Sequence, residues 1–93
     1  MTDKIKSTIA TRVETREVNA RRLLCPLPVI RAQDAVATLK SNDLVIITCT
    51  DPGAKHDIPC WCRINGHQVE DIVEQDSDAG NEIIITIRIN HDK

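Results

Sequence analysis

The sequence has no phenylalanine and no tyrosine, and Trp61 is its only aromatic residue. That argues against a nucleic-acid surface built on stacked bases, and the core has to come from Ile, Val, Leu and Ala. No glycine-rich phosphate loop, paired catalytic carboxylates or Ser/His/Asp arrangement is present. No run approaches the roughly twenty apolar residues of a membrane span, and the start has no signal-peptide apolar segment. The expectation is a cytoplasmic protein away from membranes, with cysteines kept reduced rather than paired as structural disulfides.

The 93 residues suit one small domain over 1–93, with residues 1–11 expected to be mobile. The net charge of −2 hides an asymmetry. Residues 1–40 carry eight Lys/Arg against four Asp/Glu, and residues 41–93 carry four against ten. A basic first half could help dock an acidic partner, although most such charges form a solvated surface.

The stretch Leu24-Cys25-Pro26-Leu27-Pro28 organises the chain. Proline is tolerated in the first turn of a helix, and the residues up to Lys40 contain no further Gly or Pro. The pattern predicts a helix from about Pro26 to Lys40, with Cys25 at or next to its N-cap. Val29, Ala32, Val36 and Leu39 form its apolar stripe, broadened by Ile30, Ala35 and Ala37. Free N–H groups and the positive dipole end at the helix start would favour a Cys25 thiolate. Arg21, Arg22 and Arg31 could add to that effect. The alternative is a small buried hydrophobe, as free cysteines often are.

The remaining elements follow in order. Arg12–Val18 suits a modest strand, and Asn19–Leu24 a connection. Ser41-Asn42-Asp43 reads as a turn. Leu44–Thr50 reads as a buried strand with Val45, Ile47 and Cys49 on one face. Asp57 is a candidate N-cap for a second helix, with Pro59 in its first turn and Gly66 past its end. Ile58, Trp61, Cys62 and Asn65 share a face of that helix. Val69–Glu74 reads as a strand with a bulge near Asp71, and Asp76–Asn81 as a loop. Glu82–Asn90 is the clearest strand, with Ile83, Ile85, Ile87 and Ile89 on one face. The order βαβαββ predicts an α/β (α+β) two-layer sandwich, a four-stranded mixed sheet with two helices on one face.

His56, Cys60, Cys62 and His67 invite a zinc reading, but Cys60 and Cys62 are one residue apart and a helix would splay them. The same spacing weakens a dithiol centre. Neither a metal nor a cofactor is expected. Cys49 and Cys62 read as core, Cys60 as a possible second exposed thiol, and His56 and His67 as surface residues.

Cys25-Pro26-Leu27-Pro28, opening a helix, resembles the CPxP motif of the TusA/SirA-like sulfur carrier family. Asp51-Pro52, then Asp57-Ile58-Pro59-Cys60-Trp61-Cys62, resembles that family's second conserved stretch, and the resemblance spans about Glu17 to Ile89. It implies a βαβαββ sandwich in which Cys25 accepts sulfane sulfur as a persulfide and relays it to a partner protein. Family members of this kind serve tRNA thiolation, molybdenum-cofactor assembly or sulfur oxidation. The implied protein is a sulfurtransferase-like carrier, monomeric on its own, and not a stand-alone multiple-turnover enzyme. Its partners are sulfur-donor and sulfur-acceptor proteins, with no direct contact to nucleic acid. Family members usually carry an acidic residue and a glycine where this sequence has Asn19 and Arg22. Many have a small residue without a thiol at the position of Cys60. Two other readings stand beside the carrier: a non-catalytic interaction or regulatory module of the same fold, and a thiol redox or metal-binding protein using Cys60 and Cys62.

Overall fold

The computed structural model describes residues 13–24, 26–77 and 80–91. The expected mobile start, residues 1–11, lies outside them. Six elements follow in order: β1 (Thr15–Ala20), α1 (Leu27–Ala37), β2 (Leu44–Cys49), α2 (Ala54–Asn65), β3 (Gln68–Ser77) and β4 (Gly80–Arg88). The sheet order is β1-β2-β4-β3, with β1 parallel to β2 and the other two pairs antiparallel. The fold is the expected four-stranded mixed sheet with two helices.

One face of the sheet carries the core. Val18 pairs with Ile47, Ile47 with Ile85, and Ile85 with Ile72, making an aliphatic row across all four strands. Val45, Ile47, Cys49, Ile83, Ile85 and Ile87 are buried, as their alternation predicts. Ala32 and Val36 of α1 and Ile58 and Cys62 of α2 join them from the helical layer. β3 is an outer strand with a register shift between Val69 and Asp71, the bulge that its sequence required.

Several boundaries differ from the sequence expectation. β1 runs on through Asn19 and Ala20, which pair with Thr48 and Cys49. α1 ends at Ala37, where Thr38 and Leu39 donate to the carbonyls three residues back and tighten the last turn. Leu39 still reaches the core, but Ile30 and Ala37 face solvent, so the apolar stripe is narrower than expected. The α2 N-cap is Gly53, not Asp57. Asp51 Oδ1 accepts the Gly53 N–H at 3.2 Å and starts the turn early, so Pro59 lies in the helix interior and Asp57 in the first turn. Asn65 is exposed. β3 and β4 continue to Ser77 and back from Gly80, which replaces most of the expected loop with strand pairing.

Two turns fix how the helices meet the sheet. Gly66 ends α2 in the left-handed conformation, φ 85°. Asp43, buried, accepts the N–H groups of Lys40 at 2.8 Å and Glu14 at 3.0 Å. These bonds hold its carboxyl below the usual range and close the passage from α1 into β2.

Candidate functional site

β1 and β2 are parallel, so their C-terminal ends lie together, and each passes into a helix there. Pro26, the start of α1 and the start of α2 therefore occupy one end of the sheet. The N-terminal end of β4 lies at the same end, because Ile83 pairs with Cys49. Open α/β sheets commonly place functional groups beyond the carboxyl ends of their strands.

Cys25 lies outside the described residues, and the site is defined by its neighbours on either side. Leu24 is 71% exposed, and Pro26 is exposed and forms the N-cap of α1. Pro28 is fully buried. The two prolines thus do different work: Pro28 anchors the helix while Pro26 stands at the surface. Leu27 and Ile30 are also exposed, at 44% and 43%.

One electrostatic expectation is corrected. The first N–H groups of α1 are not free. Leu27 N–H donates to Leu24 O at 2.8 Å, and Val29 and Ile30 N–H both donate to Pro26 O, at 3.1 and 3.2 Å. Proline supplies no N–H at 26 or 28. An anion here would be favoured by the helix dipole and by side-chain cations, with few direct backbone donors.

The cations are unequal. Arg21 Nε donates to Glu82 Oε2 at 2.7 Å, and its Nη1 to Asn19 Oδ1 at 3.2 Å. Glu82 is buried and also accepts from Gln75. The hydrogen bond from Arg21 lowers the Glu82 carboxyl against the opposing effect of burial. The Arg21 charge is therefore committed to a partner on β4, which sequence reasoning missed. Only the register, which sets Glu82 just beyond the Cys49–Ile83 pair, reveals it. Arg22 and Arg31 are exposed and make no ion pair among the described residues.

The turn into the motif has a particular geometry. Leu23 N–H donates to Ala20 O at 3.3 Å, and Asn19 Oδ1 accepts Arg21 N–H at 3.1 Å. Arg22 has φ 67° and its N–H donates to Thr50 Oγ1 at 2.8 Å. Positive φ at the third position of such a turn favours glycine. The side chain of Asn19 caps the turn as a carboxylate could, so neither departure from the expected pattern dismantles it.

The remaining thiols divide by burial. Cys49 is fully buried and its thiol is pushed up to about 11, mainly by burial. Burial likewise pushes Cys62 up to about 12. Cys60 is half-buried on α2. Among the described residues no three His, Cys, Asp or Glu side chains gather as a metal site would require. His56 is exposed. His67 is structural rather than merely superficial: its Nδ1 accepts Asn90 N–H at 3.0 Å, and its ring lies 5.3 Å from that of Trp61. No helix among the described residues is long and apolar enough to cross a membrane.

The fold and this end of the sheet define a small α/β protein whose motif cysteine is carried between a solvent-facing leucine and a helix start. Comparison with known proteins narrows the class. The sequence model of the family described as "Sulfurtransferase TusA" matches residues 16–89, and the chain belongs to that family. A Neisseria meningitidis serogroup A protein bearing the name "Putative sulfur carrier protein" is 36% identical over 78 residues, 84% of this chain and 95% of that one. Sulfur carrier protein TusA of Pseudomonas putida is 35% identical over 63 residues, 68% of this chain and 75% of its own. The crystal structure of a SirA-like protein from Desulfitobacterium hafniense superposes with a TM-score of 0.64 at 27% identity, covering 80% of this chain and 96% of that one.

Proposed function

We propose that this protein is a sulfur carrier that accepts sulfane sulfur on Cys25 and relays it to a partner protein. The observation that carries the reading is the family match over residues 16–89, a stretch of sequence that includes Cys25-Pro26-Leu27-Pro28 between β1 and α1.

The chemistry needs little more than that corner. The Cys25 thiolate attacks the outer sulfur of a donor persulfide, R–S–SH. A new S–S bond forms at Cys25, the donor S–S bond breaks, and the electron pair leaves with the donor as R–S⁻. The proton stays on the transferred sulfur, so Cys25–S–SH is the product. The Cys25 sulfur is oxidised to the persulfide level and the donor sulfur is reduced to a thiolate. An acceptor thiolate then attacks the outer sulfur and returns Cys25 as thiolate. This relay calls for exposure and docking, which suits a one-domain monomer working in the cytoplasm as a carrier rather than a multiple-turnover enzyme. Acceptors serving tRNA thiolation, molybdenum-cofactor assembly or sulfur oxidation are the candidates.

Intact-mass measurement after incubation with a sulfane-sulfur donor tests the reading. The expected result is a gain of one sulfur atom that a reductant removes and that Cys25→Ser lacks. No gain in the folded protein would leave a non-catalytic module, and loss of two hydrogens would point to a dithiol at Cys60 and Cys62.

A further inference from the structure

Arg22 combines three features. It holds a positive φ of 67° that costs an arginine strain and a glycine none. Its guanidinium is exposed and has no ion-pair partner among the described residues, whereas neighbouring Arg21 is tied to Glu82. It also lies two residues before exposed Leu24, with Leu27 and Ile30 exposed on the helix that follows. Among the described residues the other positive-φ non-glycine, Asn42, is of a type that tolerates the conformation. Backbone strain held in place by its surroundings is often found where a side chain serves a site. Here the Ala20–Leu23 turn and the bond from Arg22 N–H to Thr50 hold it.

We infer that Arg22 is a specificity-determining residue that selects sulfur-donating polypeptides with a carboxylate beside the persulfide and an apolar side chain next to it. This rests on the carrier reading above. The guanidinium meets the carboxylate, exposed Leu24, Leu27 and Ile30 take the apolar side chain, and Arg31 lies one helical turn from Leu27 on the same face. The match of charge and apolar surface names the donor as an acidic protein segment rather than a neutral small persulfide.

The test uses two acetylated tripeptide persulfides, Glu-Cys-Leu and Gln-Cys-Leu, which differ by one charge. Loading rates of the full chain are read by intact mass. In the wild-type protein the Glu peptide should load about two- to fivefold faster than the Gln peptide at low ionic strength, the scale of an exposed ion pair. That ratio should shrink toward one in about 1 M salt. Arg22→Gly should bring the ratio to one at low salt, and Arg22→Lys should restore most of it. A purely structural role for Arg22 would change absolute rates without changing the ratio. The inference is overturned if Arg22→Gly keeps the wild-type ratio, or if Arg31→Gln alone abolishes it. Loading at an unchanged ratio would refute only the role of Arg22. Failure of both peptides to load any folded variant would refute the carrier reading, and this inference with it.

Discussion

Ile85 sits at the centre of the buried row, paired with Ile47 on one side and Ile72 on the other, and is fully buried. Replacing it with alanine removes three carbons from the core. At about 0.8 kcal/mol per buried methylene, the transfer loss alone is about 2.4 kcal/mol. The helices above and the paired strands on either side limit collapse into the gap, so a cavity cost adds to it. The expected total is about 2–5 kcal/mol. That is a large share of the roughly 5–15 kcal/mol that holds such a domain folded. In urea, with a slope of about 1–2 kcal/mol per molar, the midpoint should fall by at least 1 M with the slope unchanged. Ile72 provides the internal control: it lies in the same row but is 38% exposed on an outer strand. Ile72→Ala should cost about 1–2 kcal/mol, because less of its surface is removed from water. If Ile85→Ala unfolds the chain, Ile85→Val should still cost about 0.5–1.5 kcal/mol. An Ile85→Ala variant no less stable than Ile72→Ala would refute the assignment of the core face.

Arg22→Gly should raise the denaturation midpoint by about 1 kcal/mol equivalent, because glycine adopts the positive φ without strain; a lower midpoint would show that the arginine side chain stabilises the turn. Cys49 and Cys62 should resist alkylation until the protein unfolds, since burial raises both thiols to about 11 and about 12; modification of either in the folded protein at neutral pH would contradict their placement. His67 has a pKa lowered from 6.5, first by burial and then by His91, so the unfolded state takes up a proton that the folded state resists. Stability should therefore be full above about pH 6.5 and fall as pH drops through that value toward the folded one. His67→Asn should flatten that limb in midpoint measurements, and an unchanged limb would show that another group carries it.

The fold was legible where one physical pattern dominated. Alternating Ile83, Ile85 and Ile87 in β4, with Ile89 just past its end, and the Val45, Ile47, Cys49 alternation in β2 could only face one way, and they do. The Asp71 bulge was legible because Val69 and Ile72 needed the same face. Helix starts were less readable. Asp57 looked like an N-cap by residue type, but the side chain of Asp51 had already turned the chain at Gly53, and composition does not rank two competing aspartates. Ile30 looked like core because it is apolar; α1 has only one covered face, and Ile30 lies off it. At the site, Pro26 and Pro28 marked a helix start by residue type, and α1 begins there. The Arg21–Glu82 bond was not legible, because it joins residues 61 apart and follows from the register of β2 on β4. Nor could the sequence show that Leu27, Val29 and Ile30 spend their N–H groups on Leu24 and Pro26.

The proposed relay puts the sulfur on Cys25 and on no other thiol. It is tested most directly by loading the folded protein with isotopically heavy sulfane sulfur, trapping the persulfide and mapping the label by peptide. Half-buried Cys60 is the one competitor that needs no unfolding. Label is expected on the peptide containing Cys25, unchanged in Cys60→Ser, absent in a folded Cys25→Ser variant, and passed on to an added thiol acceptor. Label found mainly on the Cys60 peptide, or persisting in Cys25→Ser, would contradict the proposed relay.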